Sequence, residues 1–278
     1  MLEHTFRHIS GIGPVKEARW WGAGVITWDQ LASQANLKPA VGVEINRSSD
    51  RFKRRDARYF CDALPSSERW RVYPDFAQDT GFLDIETTGL SAGDSVITVV
   101  GLLTKDGYTA HVRGDNMDDL PESLARLKLI VTFNGASFDL PFIAAEFGRE
   151  VFAHAAHVDM RHVMRRAGYS GGLKQVEWKT GLGRAPGLAN LGGSDAVALW
   201  RLADEGEPGA LETLVRYNAE DVASLPRLAA LAVSKLAEGT PMARSAAPAF
   251  PTFDCTALPF DQGLVEYLGE RKGFAVSS

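Results

Sequence analysis

An apolar run at residues 82–90, FLDIETTGL, contains two carboxylates, Asp84 and Glu86, separated by a single residue. Successive side chains of a β-strand point to opposite faces, so residues two apart share a face. We therefore expect Asp84 and Glu86 to project together from the end of a strand that is otherwise buried. Two like charges in such a place are costly unless a cation neutralises them. A hard divalent metal ion with oxygen ligands satisfies this requirement.

Two further runs carry polar residues in patterns that suit the same site. Residues 130–139, IVTFNGASFD, predict a strand, a turn at Asn134-Gly135 and the start of a helix with Asp139 in its first turn. Residues 215–222, VRYNAEDV, lie inside a strong helical pattern, in which Tyr217 and Asp221 are four residues apart and share one face. Each run alone is weak evidence for a site. The three runs together, in this order and on these element types, are strong evidence for one shared site.

The order Asp-x-Glu, Asn-x-x-x-Phe-Asp and Tyr-x-x-x-Asp resembles the DEDD superfamily of 3′–5′ exonucleases over about residues 78–235. The tyrosine is similar to that of the DEDDy branch, which has it where another branch has histidine. The GGLK stretch at residues 171–174, the Tyr-Asn-x-x-Asp-Val run and the N-terminal segment resemble most the bacterial YprB-like group of predicted ribonuclease H-like exonucleases. The resemblance implies a metal-dependent 3′–5′ exonuclease that hydrolyses phosphodiester bonds of DNA or RNA by a two-metal-ion mechanism.

The resemblance also implies a role for each matching catalytic residue. Asp84 would bridge two divalent ions, and Asp139 would hold the second of them. Glu86 and Asp221 would bind the ion that carries the attacking water. Tyr217 would orient that water, because an ordinary tyrosine pKa of about 10 makes it a poor base at neutral pH. The expected ions are Mg²⁺ or Mn²⁺, since both accept an all-oxygen site.

Contacts with a single-stranded 3′ end are implied for a second set of residues. The expected substrate-binding residues are Thr87, Thr88, Gly89, Leu90, Asn134 and Lys174. Leu90 would wedge beside the terminal base. Lys174 belongs to a basic stretch at residues 161–184 that also contains Trp178. A basic groove with an aromatic platform suits single-stranded nucleic acid, and a solvated loop is the alternative for this stretch.

The composition limits the class of protein. The chain has 278 residues, which suits one large domain or one domain with appendages. Its net charge of −5 is not typical of a non-specific DNA-binding protein, since such proteins are more often basic. Two cysteines, Cys61 and Cys255, argue against a disulfide framework or a zinc site and fit a reducing cytoplasm. Residues 1–7 are polar and charged, unlike a signal peptide. No apolar run reaches the roughly 18 residues that a membrane span needs. We therefore expect a cytoplasmic protein.

Three segments are predicted along the chain. Residues 1–77 form a helical N-terminal region, in which the Gly-x-Gly turn at 11–13 resembles half of a helix-hairpin-helix motif; a plain turn and packed helix is the alternative. Residues 78–236 form an α/β domain with a ribonuclease H-like mixed sheet, three antiparallel strands plus parallel strands, flanked by helices. Pro226 is expected to kink or restart its last helix. Residues 237–278 form a linker and a tail with a short helix at 262–270.

Two other functions fit the same fold. One is a non-catalytic nucleic-acid-binding protein, and the presence of all four carboxylates and Tyr217 argues against it. The other is a structure-specific endonuclease, which the motifs do not separate from an exonuclease because both use the same metal ions.

Overall fold

A computed structural model of the chain describes residues 1–244 and 252–276. Its centre is one β-sheet with five strands, which are β1 (Thr80–Thr87), β2 (Ile97–Thr104), β3 (Gly107–Val112), β4 (Leu129–Thr132) and β5 (Ala156–Asp159). The order across the sheet is β3-β2-β1-β4-β5. The first three strands are antiparallel neighbours, whereas β4 pairs in parallel with β1 and β5 pairs in parallel with β4. This mixed sheet confirms the predicted ribonuclease H-like α/β fold class.

Helices precede the sheet and cover its faces. The α-helices are α1 (Pro14–Gly22), α2 (Trp28–Ala32), α3 (Pro39–Lys53), α4 (Ala57–Ala63), α5 (Tyr73–Phe76), α6 (Leu120–Ala125), α7 (Asp139–Phe147), α8 (Met160–Arg166), α9 (Leu173–Thr180), α10 (Gly193–Asp204), α11 (Ala210–Ala237) and α12 (Gln262–Val276). Short 3-10 segments lie at Leu2–His4, Ser66–Arg71, Ala77–Asp79, Met117–Asp119, Arg149–Val151, Leu188–Asn190, Pro241–Arg244 and Cys255–Ala257. Within the described ranges, no helix is both long enough and apolar enough to cross a membrane.

The alternation of β1 divides its side chains between two hydrophobic cores. Phe82 packs in a cluster that also contains Leu225 of α11. Leu83 and Ile85 pack in a second cluster with residues of α6 and α7, among them Leu124. The polar residues at positions 84 and 86 therefore lie on the same side of the sheet as α11.

The N-terminal helices share a core with the sheet. Trp28 and Phe60 are buried and stack with their ring centroids 5.8 Å apart. Both belong to the hydrophobic cluster that contains Phe82 of β1 and Val131 of β4. The boundary near residue 77 stays a prediction, and the structure adds that the segments on its two sides pack together in one core.

The Gly-x-Gly turn at residues 11–13 leads into α1. Gly11 has a φ of 77°, which favours glycine, and Gly13 is the N-cap residue of the helix. Residues 1–10 contain the 3-10 turn Leu2–His4 and no α-helix. A full helix-hairpin-helix motif is therefore absent from this part of the chain, and phosphate binding by the turn stays a prediction.

Two predicted elements differ from the observed ones. The helix α11 continues through Pro226, so of the expected kink or restart the restart does not occur, and the kink stays a prediction. The C-terminal helix extends to Val276 rather than ending at residue 270. Residues 245–251, which form part of the predicted linker, lie outside the described residues.

Candidate metal centre

Three carboxylates from β1 and α11 come together beside the sheet. One ligand oxygen from each of Asp84, Glu86 and Asp221 lies within 4.8 Å of the other two. Glu86 and Asp221 are each 7% exposed, whereas Asp84 is less deeply buried. The structure places Asp84 and Glu86 on one face of β1, opposite a helix that supplies the third acid.

The close approach of α11 to the sheet depends on Gly101 of β2, which pairs with Asp84. A Cβ atom at Gly101 would lie 1.9 Å from Oδ1 of Asn218 and 2.9 Å from Cγ2 of Val222, both on α11. Any larger residue at this position would push the helix away from the strand. The glycine therefore sets the distance between Asp221 and the carboxylates of β1.

The fully buried Asn218 braces the two carboxylates of β1. Its Nδ2 donates to Oδ2 of Asp84 at 3.1 Å, to the backbone carbonyl of Asp84 at 3.2 Å and to Oε1 of Glu86 at 3.4 Å. Its Oδ1 accepts a hydrogen bond from Tyr108 Oη at 3.0 Å, which fixes the direction of the amide. Sequence reasoning missed Asn218. Two sequence features could have indicated it. Asn218 lies three residues before Asp221, on the same helix face, and a glycine interrupts the apolar strand β2 that this helix approaches.

Asp139 is the first residue of α7 and is 3% exposed. It lines a cavity of 320 Å³ together with Asp84, Glu86 and Asp221. Its oxygen atoms lie outside the cluster of three, and Oδ1 of Asp139 has no hydrogen-bond partner among the described residues. A buried carboxylate oxygen without a partner, beside three crowded carboxylates, is an environment that a hard divalent cation satisfies. The donor set therefore fits Mg²⁺ or Mn²⁺.

The electrostatics of the four acids favour bound positive charge. Burial raises the pKa of Asp84 well above its ordinary value, and Asp221, Asp139 and Glu86 raise it further by repulsion. Burial and the charge of Asp221 likewise raise the pKa of Glu86, although the hydrogen bond from Asn218 acts in the opposite direction. Burial raises the pKa of Asp139 to about 7. Ionising Asp84, Glu86 and Asp139 together near neutral pH is costly unless a cation is present.

Tyr217 lies one helical turn before Asp221 and is 4% exposed. It lines a second cavity, of 450 Å³, with Asp84, Asp221 and Lys174. The Nζ atom of Lys174 is 4.8 Å from the centroid of the tyrosine ring. Burial, followed by repulsion from Asp221 and Glu86, raises the pKa of Tyr217 above its ordinary value. Its hydroxyl therefore stays protonated at neutral pH and can position a water molecule by hydrogen bonding.

The other predicted substrate-binding residues lie around these cavities, with one exception. Those that line the 320 Å³ cavity are Thr87, Gly89, Leu90 and Asn134, and Lys174 lines the other cavity. Leu90 is 90% exposed, as a side chain that meets a ligand can be. Thr88 is not among the lining residues; its Oγ1 accepts a hydrogen bond from the backbone N–H of Val96 at 3.0 Å. Thr88 thus holds the turn that carries Leu90.

The turn at Asn134 is fixed by Asp159 at the end of β5. Asn134 has a φ of 69°, and its backbone N–H donates to Oδ1 of Asp159 at 2.8 Å. The N–H of Ala136 donates to the other oxygen at 3.3 Å. Arg161 donates to Oδ1 of Asn134 at 2.5 Å, so the amide side chain is also held. Asp159 was not predicted as a site residue, and it positions the turn that leads to Asp139.

Two residues of the basic stretch at residues 161–184 form ion pairs with acids elsewhere in the protein. Arg166 pairs with the buried Glu68 at 2.8 Å. Arg184 is 5% exposed and contacts Asp221, so it is part of the candidate metal centre rather than of a solvated loop. Trp178 is 80% exposed on α9, four residues after Lys174. An exposed aromatic side chain is thus present, and two of the six Lys and Arg side chains of the stretch, Arg166 and Arg184, are engaged in ion pairs.

The mixed sheet and the acidic cluster beside it define a class of protein, those with a ribonuclease H-like fold. Residues 81–233, more than half of the chain, match a family model described as the RNase H superfamily. The chain therefore belongs to the RNase H superfamily.

A search of the curated proteins finds no match. Among solved structures, the chain is similar to the family B DNA polymerase from the hyperthermophilic archaeon Pyrobaculum calidifontis. The identity is 17%, the TM-score is 0.43, and the alignment covers 61% of this chain and 27% of the polymerase. The chain thus corresponds to about a quarter of that protein's length.

Replacing Asn218 by alanine should weaken metal binding. The change removes the donor that braces Asp84 and Glu86, and the loss of such an outer-shell partner typically costs about 10- to 100-fold in metal affinity. Titration calorimetry with Mn²⁺ measures the effect. Asn116→Ala is the matched control, because the Asn116 side chain, like that of Asn218, both accepts and donates hydrogen bonds but lies beside β3. Equal Mn²⁺ affinity in the Asn218→Ala and wild-type proteins would contradict the bracing role.

The pH dependence of stability should reveal Asp139. Its folded pKa of about 7 exceeds its ordinary value of 3.8, so the folded state retains a proton that the unfolded chain has released. Its contribution to stability is therefore present at low pH and is lost as the pH rises through about 7. In a chelator, Asp139→Asn should gain free energy of unfolding relative to wild type as the pH rises.

The measurement is thermal unfolding of the wild type and of Asp139→Asn in a chelator, at pH values from below 3.8 to above about 7. Adding Mn²⁺ should stabilise the wild type more at high pH than at low pH, since the ligands must be deprotonated to bind the ion. A stability difference between the two proteins that does not change with pH would be inconsistent with a raised pKa at Asp139.

Proposed function

We propose that the protein is a metal-dependent 3′–5′ exonuclease of the DEDDy type, which hydrolyses phosphodiester bonds at a single-stranded 3′ end of DNA or RNA. The observation that carries the proposal is the convergence of Asp84, Glu86 and Asp221 within 4.8 Å, beside Tyr217 on the same helix as Asp221. Membership of the RNase H superfamily supports a nuclease. The GGLK stretch at residues 171–174 supports a relationship to the YprB-like group.

The four carboxylates suit two divalent ions. Glu86 and Asp221 would hold the first ion, Asp139 would hold the second, and Asp84 would be shared by both. When bound, Mg²⁺ or Mn²⁺ ions activate the attacking water and stabilise the leaving oxygen. The repulsion that raises the carboxylate pKa values is the reason that such ions would bind strongly here.

Tyr217 would direct the attack rather than take the proton. Its hydroxyl stays protonated because burial raises its pKa. A protonated hydroxyl in the same cavity as Asp84 and Asp221 can hold a water in line with a scissile phosphate. Lys174, close to the tyrosine ring, supplies a positive charge suited to a phosphate oxygen.

The substrate would lie between the turn that carries Leu90 and the helix α9. Leu90, which is highly exposed, lines the cavity that contains Asp139. Lys174 and Trp178 are four residues apart on α9 and therefore share a face of that helix. An exposed tryptophan one turn from a cavity-lining lysine suits stacking of a base upstream of the cleaved bond.

Replacing Asp84 by asparagine should abolish cleavage. A neutral amide at this position cannot supply the charge that two ions share, so we expect the rate to fall at least about 1,000-fold, or about 4 kcal/mol of activation free energy. Tyr217→Phe should reduce the rate much less, by about 10- to 100-fold, since only positioning is lost. The measurement is digestion of 5′-labelled single-stranded DNA and RNA of one sequence with Mg²⁺, with Mn²⁺ and with a chelator.

A metal-dependent ladder that shortens from the 3′ end is the expected product pattern. Asp106→Asn, an exposed change in the β2–β3 turn, is the control and should leave the ladder unchanged. Internal cuts would indicate an endonuclease. Binding without cleavage in every reaction would indicate a nucleic-acid-binding protein, and either result would refute the proposed activity.

Replacing Trp178 by alanine should weaken binding to single strands. Stacking of one base on an aromatic side chain contributes about 1–3 kcal/mol, so we expect the dissociation constant to rise about tenfold. Fluorescence anisotropy with a labelled oligonucleotide, in an Asp84→Asn background that prevents cleavage, measures the change. Trp178→Phe should retain most of the affinity. Unchanged binding by the alanine variant would argue that Trp178 does not contact the substrate.

A further inference from the structure

Arg184 is a buried cation that touches the metal centre. It lies in the segment between α9 and α10 and is 5% exposed. Its Nε donates to Oε2 of Glu177 at 2.7 Å, and its Nη2 donates to Oε1 at 2.8 Å. The same Nη2 contacts Oδ1 of Asp221. One guanidinium thus joins a carboxylate of α9 to a carboxylate of the metal centre.

The local structure fixes Arg184 in this position. Gly181 ends α9 with a φ of 73°, and the turn brings residue 184 back alongside Glu177. The two parallel hydrogen bonds to Glu177 match the planar fork of a guanidinium and restrict its orientation. Burial would lower the pKa of Arg184, but the charges of Asp221 and Glu177 raise it, so the side chain stays charged.

The contact engages one of the two oxygens of Asp221. A carboxylate can bind a metal ion through one oxygen or through both. Ca²⁺ accepts six to eight oxygen ligands in flexible geometry and often takes both oxygens of a carboxylate, whereas Mg²⁺ requires near-octahedral geometry. Because Oδ1 is paired with the charge of Arg184, the other oxygen of Asp221 would be the one to bind an ion shared with Asp84 and Glu86.

We propose that Arg184 makes this ion site selective for small divalent ions over Ca²⁺, because it restricts Asp221 to a single ligand oxygen. Arg184 is then a positioning residue, which acts through Asp221 and is itself oriented by Glu177. The inference rests on the proposed metal-dependent function. It differs from a simple charge effect, which would weaken the binding of all divalent ions by similar factors.

Two substitutions separate the positioning role from a charge effect. Arg184→Gln removes a positive charge, so electrostatics alone predicts tighter binding of both ions. Glu177→Gln removes a negative charge and leaves Arg184 in place, so electrostatics alone predicts weaker binding of both ions. Positioning predicts instead that both substitutions shift the ratio of affinities toward Ca²⁺. We expect a shift of about tenfold, the lower end of the roughly 10- to 100-fold loss in affinity for the bound ion that follows the loss of an outer-shell contact.

The experiment measures Mn²⁺ binding by the electron paramagnetic resonance signal of unbound Mn²⁺, and Ca²⁺ binding by competition. Arg216→Gln is the matched control, since Arg216 is 3% exposed and is paired with Glu220 on α11 at 2.8 Å. It should leave the ratio of affinities unchanged. Circular dichroism of each variant checks the fold, and Glu177→Gln carries the test if Arg184→Gln does not fold.

A Ca²⁺-to-Mn²⁺ affinity ratio that rises in Arg184→Gln and Glu177→Gln but not in Arg216→Gln would support the inference. Equal ratios in wild type and in both variants would overturn it while leaving the metal centre intact. Absence of Mn²⁺ binding to the wild type, with no difference from Asp84→Asn, would overturn the metal centre itself and the selectivity inference with it.

Discussion

Electrostatic repulsion among buried carboxylates is the interaction on which the rest of the centre depends. Folding brings together acidic groups that would separate in water. Burial and repulsion from neighbouring carboxylates therefore raise the pKa values of Asp84, Glu86 and Asp139. Packing holds them in place. Gly101 lets α11 approach the sheet, and Asn218 bridges that approach with hydrogen bonds to both acids of β1. A divalent cation between these carboxylates would relieve their repulsion, and this relief would contribute to the free energy of binding the cation.

The elements around the carboxylates each fix the position of one turn or side chain of the site. Asp159 at the end of β5 holds the turn at Asn134, and Thr88 holds the turn that carries Leu90. The helix α9 supplies Lys174 to one cavity and, through Glu177, orients a buried arginine onto Asp221. The carboxylates on the sheet and on α11 are thus surrounded by loops and a short helix. Under the proposed function, these surroundings would determine which ion and which nucleic acid bind.

The fold and the carboxylates could be predicted from the sequence because their signals are local. Alternation places Asp84 and Glu86 on one face of a strand, and helical spacing places Tyr217 beside Asp221. The roles of Asn218 and Arg184 could not be predicted in this way. They depend on contacts between elements that are far apart in the sequence, namely α11 with β2, and the segment after α9 with α11. Neither the paired charges of the basic stretch nor the core shared by the N-terminal helices and the sheet has a local pattern.

Anomalous diffraction from crystals soaked in Mn²⁺ tests most directly the claim that these carboxylates form a divalent-metal centre. The account predicts an anomalous difference peak bounded by oxygens of Asp84, Glu86 and Asp221. Oxygen–metal distances should be about 2.0–2.2 Å, as is usual for small divalent ions. Strong peaks elsewhere on the protein, with none among these three carboxylates, would contradict it.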